Sequence, residues 1–369
     1  GTTAMNNLTL QISGQLDVEG VLEVQGDIDN DGDLVFKSTS SGDGQLDNFT
    51  GNLSRSVTVE RFIPVQTEDT RAYRFLTSAV NSVRSIRANW QEDGNSPAGF
   101  GTHITGSTTG ANGFDQSITG NPSMYTFDNS FTSNQDNAWN PIPNTDTRQL
   151  EAGEAYRIFI RGDRNYDLSS DPADPPNSDV TLRATGSLAI GSQTETLSDV
   201  SGYYSMIGNP YQANVDMNAL TGTNLNTNTY WVWDPNMSQR GAYVAVPLPS
   251  GTPAGTSDAD QFVQPGQSFF VQTLNNGAAD ITFSESAKDV AALPTDVFND
   301  DDQSSINLLL YTDQALNNND SEADALGINF SPNGNNAVDQ MDAGKMGNPD
   351  ENLARLNNGE YLSIENRAM

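Results

Sequence analysis

The chain has 369 residues, enough for two or three domains with buried cores at roughly 150 residues each. Its 17 basic and 48 acidic residues leave a net charge of −31, which repels nucleic acid and anionic membrane surfaces and excludes them as partners. There is no cysteine, so disulfides and thiolate metal sites are excluded, and no apolar run approaches the ~18 residues of a membrane span, so direct membrane insertion is not expected.

Thirty-two Gly and 17 Pro interrupt short alternating runs such as Leu8-Thr-Leu-Gln-Ile12 and Ile281-Thr-Phe283, and helical periodicity is hard to follow beyond a turn or two. The expected fold class is all-β. Only Lys37, Lys288 and Lys345 are lysines. An acidic, lysine-poor surface suits saline media, where charge repulsion is screened; the plainer alternative is that charge keeps a large exported protein soluble.

Residues 1–60 carry their own period. Gly14, Gly20, Gly26 and Gly32 stand six residues apart, with Ile12, Val18 and Val24 two positions before the first three and Leu16, Leu22, Ile28 and Leu34 two positions after all four. A glycine at each corner and apolar residues between predict a short β-solenoid, with a stack of hairpins as the alternative.

Residues 61–193 and 194–290 read as two related β-sandwich modules. Leu150-Glu-Ala-Gly-Glu-Ala-Tyr-Arg-Ile-Phe-Ile160 is echoed by Val263-Gln-Pro-Gly-Gln-Ser-Phe-Phe-Val-Gln-Thr273. Tyr73-Arg-Phe-Leu76 is echoed by Tyr204-Ser-Met-Ile207, and the closing runs at residues 180–186 and 281–287 complete the parallel. Phe75, Phe159, Phe269 and Trp233, each in a repeated apolar strand, are expected in the core. Residues 291–369 hold only three or four strands, a partial β domain expected either to pack on the preceding module or to be completed by a strand from a neighbouring copy or from the rest of a longer polypeptide. Leu308, Leu309 and Leu310 in succession predict burial on both faces of their strand.

Candidate chemistry is sparse. Asp27, Asp29, Asp31 and Asp33 alternate as in the first half of a calcium loop, although the position of its closing glutamate is Ser38. The acidic stretches 167–179 and 296–302 are calcium candidates of the same kind, and calcium is the one cofactor the sequence suggests. Trp90 and Trp139, outside the regular strands, are the candidate carbohydrate-stacking residues, whereas core burial is the simpler account of Trp231 and Trp233. His103, the single histidine, has no nucleophile motif beside it and reads as a loop or strand-end residue. Arg161-Gly-Asp163 reads as the turn that ends a strand.

The runs Arg71-Ala-Tyr-Arg-Phe-Leu-Thr-Ser78, Gly208-Asn-Pro-Tyr-Gln212, Tyr230-Trp-Val-Trp-Asp-Pro235, Gln264-Pro-Gly-Gln-Ser-Phe-Phe-Val271 and Asp342-Ala-Gly-Lys-Met346 resemble segments of large exported cell-surface proteins of the Bacteroidetes phylum. In that group such segments lie upstream of a C-terminal sorting domain for type IX secretion, and no complete sorting domain is visible at the end of this chain. The resemblance implies an adhesin-like protein at the outer cell surface or outside the cell. The expected function is that of a non-catalytic structural or adhesive segment, with a carbohydrate-binding accessory region of a polysaccharide-degrading enzyme as the alternative. Expected partners are other domains of a longer polypeptide, neighbouring copies, and glycans.

Overall fold

A computed structural model describes residues 3–64, 72–165, 168, 178–235, 241–255, 257–292, 304–318, 322–331, 335–340, 342–349 and 351–368. The fold is all-β: among these residues one short α-helix, Asp313–Asn318, and five single-turn 3-10 helices accompany ten sheets.

The N-terminal segment is a three-sided parallel solenoid. Thr3–Met5, Val21–Val24 and Gln45–Leu46 form one side; Leu8–Leu10 and Ile28–Asn30 a second; Gln15–Val18, Asp33–Phe36 and Val57–Ile63 lie on the third. Gln15 lies opposite Asp33 and Leu16 opposite Leu34, so one rung spans three of the six-residue periods. Parallel pairing rules out the hairpin alternative. Val18, Leu22, Val24, Ile28, Leu34 and Phe36 are buried inside, whereas Ile12 is 79% exposed and breaks the pattern. The corner glycines are required by the closeness of the rungs: a Cβ on Gly32 would stand 2.2 Å from the Gly14 carbonyl oxygen, and one on Gly26 would stand 1.9 Å from Asn7 Oδ1.

The core does not break at residue 60. Val57–Ile63 pairs in parallel with the solenoid strand Asp33–Phe36 on one side and antiparallel with Val180–Leu188 on the other. Solenoid and first module therefore share a five-stranded sheet, and one hydrophobic cluster runs from Val18 and Phe36 to Leu182 and Leu188.

The two echoing regions have the same strand order. In the first, the order across the sheet is Ala72–Leu76, Tyr156–Ile160, Met124–Phe127, Trp139–Pro141; in the second it is Tyr204–Gly208, Ser268–Gln272, Thr229–Asp234, Ala242–Pro247. The match extends to register. Phe75 lies opposite Arg157 and Arg157 opposite Tyr125, just as Met206 lies opposite Phe270 and Phe270 opposite Trp231. A second antiparallel pair backs each sheet, Val57–Ile63 with Val180–Leu188 and Gln193–Thr196 with Asp280–Phe283.

These two sheets meet through an aromatic layer. Phe75 stacks on Trp233 at 5.5 Å and meets Phe270 edge-on at 5.7 Å; Phe127 and Trp139 also meet Phe270, at 5.1 and 6.1 Å. Thr229–Asp234 is thus covered on both faces, Tyr230 and Val232 in the core of the second module and Trp231 and Trp233 in the layer between sheets. Of the four residues expected in the core, Phe75 and Phe269 are buried, while Phe159 and Trp233 are half-buried. Phe159 lies edge-on to Tyr73 with Arg161 over its ring, and Trp233 lines a cleft.

The C-terminal strands form a mixed sheet in the order Ser304–Leu310, Asp324–Ser331, Glu360–Ala368, Ala343–Gly344, with Arg355–Asn357 also on Glu360–Ala368. It packs on the second module, the first of the two expected alternatives. Ala343 and Ile364 enter the aromatic cluster, Trp231 Nε1 donates to the Gly344 carbonyl at 3.1 Å, and Tyr243 N donates to Asn348 Oδ1 at 2.6 Å. The expected two-sided burial of the leucine run is wrong. Among the described residues Ser304–Leu310 is the edge strand, with a neighbour on one side only, and Ile306, Leu308 and Leu309 are 49, 46 and 39% exposed.

Two outcomes are expected from substitution. Gly32→Ala forces the rungs apart and should lower stability by about 1–3 kcal/mol in urea unfolding. Arg157 occupies the position of Phe270 in the other copy, so Arg157→Phe should change stability by less than about 1 kcal/mol, whereas Phe270→Arg, which buries an unpaired charge, should cost more than about 3.

Candidate functional site

Between the modules lies an open cleft of about 300 Å³. The end of Val57–Ile63 and the edge strand Ala72–Leu76 form one side. The end of Thr229–Asp234 and the loop leading to Gln267 form the other. Phe62, Pro64, Phe75, Val232 and Trp233 supply apolar lining.

Its shape is fixed from behind by Arg61, whose guanidinium donates to Asp43 Oδ2 at 2.9 Å, Pro265 O at 3.0 Å and Gln264 Oε1 at 2.8 Å. Asn209, fully buried in the Gly208-Asn-Pro-Tyr-Gln212 turn, holds the same loop by donating Nδ2 to the carbonyls of Val263 and Gln264. Backbone bonding at Leu76–Gln267, with Thr77 N donating to Gly266 O at 2.9 Å, clamps the two modules at the cleft floor.

Arg74 is the unusual group. Among the described residues its guanidinium forms no ion pair, and its one hydrogen bond, Nη1 to Tyr73 O, is long at 3.4 Å. Burial pushes its pKa down to about 10 against the pull of Asp234. On the acidic side, Asp234 accepts from Ser257 Oγ at 2.6 Å and Asp260 Oδ1 accepts from Phe262 N at 2.8 Å. Burial raises the Asp260 carboxyl above the usual range, with Asp216 adding to the effect despite the Phe262 N–H. The exposed Asp258 makes no hydrogen bond among the described residues. The cleft therefore presents a hydrogen-bond donor and acceptors together beside apolar side chains.

His103 stands just before the strand Thr105–Ser107, a strand-end position as expected, and is buried there in an ion-pair knot. Its Nδ1 lies 3.4 Å from Asp115 Oδ2. Arg164 donates to both oxygens of Asp115, at 2.7 and 2.8 Å, while Gln91 Nε2 and Ile104 N donate to Oδ2 at 2.9 and 3.0 Å. With both carboxylate oxygens engaged by Arg164, the knot joins chain segments rather than priming a nucleophile. Burial alone would raise the Asp115 carboxyl, but hydrogen bonds and charge from Arg164 and His103 outweigh it and hold the group well below the carboxylate range.

Trp90 is 3% exposed and edge-on to Tyr156, so its faces cannot stack on a sugar. Trp139 is half-buried, but Arg157 lies over its ring at 3.9 Å while Phe75 and Phe127 pack against it. Tyr73 and Tyr125 complete a box around the same guanidinium, at 4.8 and 4.6 Å. Neither tryptophan is the exposed platform expected of it.

The calcium expectation at Asp27, Asp29, Asp31 and Asp33 fails for a reason rooted in the solenoid. Instead of wrapping a loop, these residues follow one rung, and three of them bond the next: Asp27 Oδ1 accepts from Asn52 N and Nδ2, Asp29 Oδ1 accepts from Ser54 Oγ at 2.8 Å, and Asp31 pairs with Arg55 at 2.6 Å. Asp33 is exposed at the start of a strand. Among the described residues no group of three or more His, Asp or Glu converges on a metal position. The acidic stretches 167–179 and 296–302 lie almost wholly outside the described residues. Arg161-Gly-Asp163 is indeed a turn, with Gly162 at φ +84° and Asp163 accepting from Gly99 N at 2.9 Å. No described helix is long and apolar enough to cross a membrane.

Comparison with known protein families, with curated proteins and with solved structures finds no match to this chain.

Asp115→Asn should destabilise by about 3–5 kcal/mol at pH 7, since it strands the Arg164 charge. The native carboxyl titrates below its unfolded value near 3.9, so its contribution is complete above that value and is lost as pH falls. The stability gap between wild type and Asp115→Asn, measured by urea unfolding, should therefore narrow below about pH 4.

Proposed function

We propose that the chain is a non-catalytic structural or adhesive segment of an exported bacterial cell-surface protein, one that holds recognition surfaces at fixed positions. The observation that carries this reading is mechanical continuity. A solenoid shares a sheet with the first module, that module meets the second through an aromatic layer, and the second carries the C-terminal sheet.

Charge supports an exterior setting. All three lysines are held in ion pairs, Lys37 with Glu60 at 2.6 Å, Lys288 with Glu285 at 2.7 Å and Lys345 with Asp324 at 2.6 Å. The solvent-facing charge is thus dominated by carboxylates, which repel one another less in saline media. The resemblance of the strand phrases to Bacteroidetes surface proteins of the type IX secretion group points the same way. A second reading, a carbohydrate-binding accessory region of a polysaccharide-degrading enzyme, is favoured by the cleft between modules.

Beads coated with the purified chain should be retained on polysaccharide films and on intact cells at seawater-strength salt, above beads coated with an unrelated acidic protein. Retention with no release of reducing ends, acyl groups or peptides supports the proposal. Release of such products would make the chain an enzyme, and equal retention of both bead types would remove the adhesive reading.

A further inference from the structure

We propose that the cleft between the two modules is a binding site for a neutral saccharide of two to four residues, its hydroxyls accepting from Arg74 and donating to Asp258 and Asp260. This deepens the adhesive reading and rests on it for its biological sense, but it stands on the geometry of the cleft itself.

The free groups decide the ligand class. Arg74 offers N–H donors with a single long protein acceptor at 3.4 Å. Asp258 offers both carboxylate oxygens, and Asp260 offers the one that Phe262 N does not hold. A cationic ligand would meet Arg74, and an anionic one would approach Asp234, Asp258 and Asp260 on a chain of net charge −31. A small zwitterion would satisfy both kinds of group only if its charges matched their spacing, and no carboxylate among the described residues lies within the 4.0 Å of an ion pair with Arg74. A polyol has no net charge, and each of its hydroxyls both donates and accepts at short intervals along the ring. It can serve the arginine and the aspartates together without a matched pair of charges.

Size and lining agree with this. About 300 Å³ is at the lower end of small-ligand sites, and an open cleft admits a chain that continues beyond it. Phe62 and Trp233 present apolar surface against which the C–H faces of a sugar can lie while its hydroxyls reach the charged groups. Arg61, bonded to the solenoid at Asp43 and to the second module at Gln264, preorganises the site.

The test is titration calorimetry on the whole chain with fragments of β-1,3-glucan, β-1,4-glucan and mannan, with an oligouronate of the same length, and with glycylglycine. Binding by at least one neutral fragment is expected, with affinity lowered about tenfold or more in Arg74→Gln and in Asp258→Asn, since hydrogen bonds to charged groups are lost. Asp258 makes no hydrogen bond among the described residues, so Asp258→Asn tests the site without disturbing the fold. Three results would overturn the inference: binding only by the oligouronate or only by glycylglycine, binding of a neutral fragment that both variants leave unchanged, or no binding by any probe. Bead retention that survives both variants would sink the cleft as the saccharide site and leave the adhesive reading standing; loss of retention in the wild type would sink that reading itself.

Discussion

The face-to-face contact of the two four-stranded sheets is the constraint on which the rest of the molecule depends. Each sheet is apolar on both sides, so neither could be left with one face in water. Leu76, Tyr156 and Ile158 face the core of the first module while Phe75 faces the other sheet; Ile207, Phe269 and Val271 face the core of the second while Met206 and Phe270 face back. Burying a large apolar side chain contributes roughly 1.5–3 kcal/mol, and edge-to-face aromatic pairs add about 0.5–1.5 each. A contact made of several such rings outweighs any single surface ion pair. The cleft forms at the margin of this layer, where Trp233 reaches the opening beside the buried Phe75.

Electrostatics explains how so acidic a chain folds at all. Several of its few cations meet the carboxylates that folding buries. Arg164 neutralises Asp115, Lys345 neutralises the buried Asp324, and Glu365, fully buried, is met by Arg355 and Arg367. Lys288 and Glu285 do more than pair: Glu285 also accepts from Phe49 N and Gly191 N, joining the solenoid to the second module. A buried pair is weak evidence for net stability but strong evidence for specificity of contact, since removing either partner strands a charge. Surplus carboxylates are left to the surface, where water and salt screen them.

Much of the fold was legible in the sequence because it rests on local periodicity. Six-residue glycine spacing encodes the rung, and the echo between residues 150–160 and 263–273 encodes equivalent strands in the two sheets. What could not be read is whatever depends on which surface covers which. Leu308 and Leu309 look like core from their neighbours in sequence, but among the described residues no layer covers that edge strand. His103 and Asp115, twelve positions apart, are brought together where Thr105 pairs with Asp115, and Arg164 joins them from beyond the central strands. The candidate site was harder still. Arg74 sits inside a phrase that reads as strand, and that its guanidinium forms no ion pair among the described residues is a fact about space; the nearest sequence signal was the contrast with Ser205 at the equivalent place.

That contrast generalises. At most matched positions the two copies keep the same physical role, Tyr156 with Phe269, Leu76 with Ile207, Tyr125 with Trp231. They part at Arg74 against Ser205, and at Arg157 against Phe270. Ser205 is fully buried and accepts from Ser198 N at 2.8 Å, a filled position in a packed core. Arg74 instead brings a desolvated charge to an open cleft, a placement that folding alone disfavours. Arg157 brings another to the aromatic layer, where three rings stand in for a counter-ion. With a duplicated scaffold, stability can be supplied by what the copies share, and the positions where they differ are free to answer to a ligand. Arg74 is the one of these that faces a cavity, which is why the cleft, and not the tryptophans that drew attention in the sequence, is the place to look for recognition.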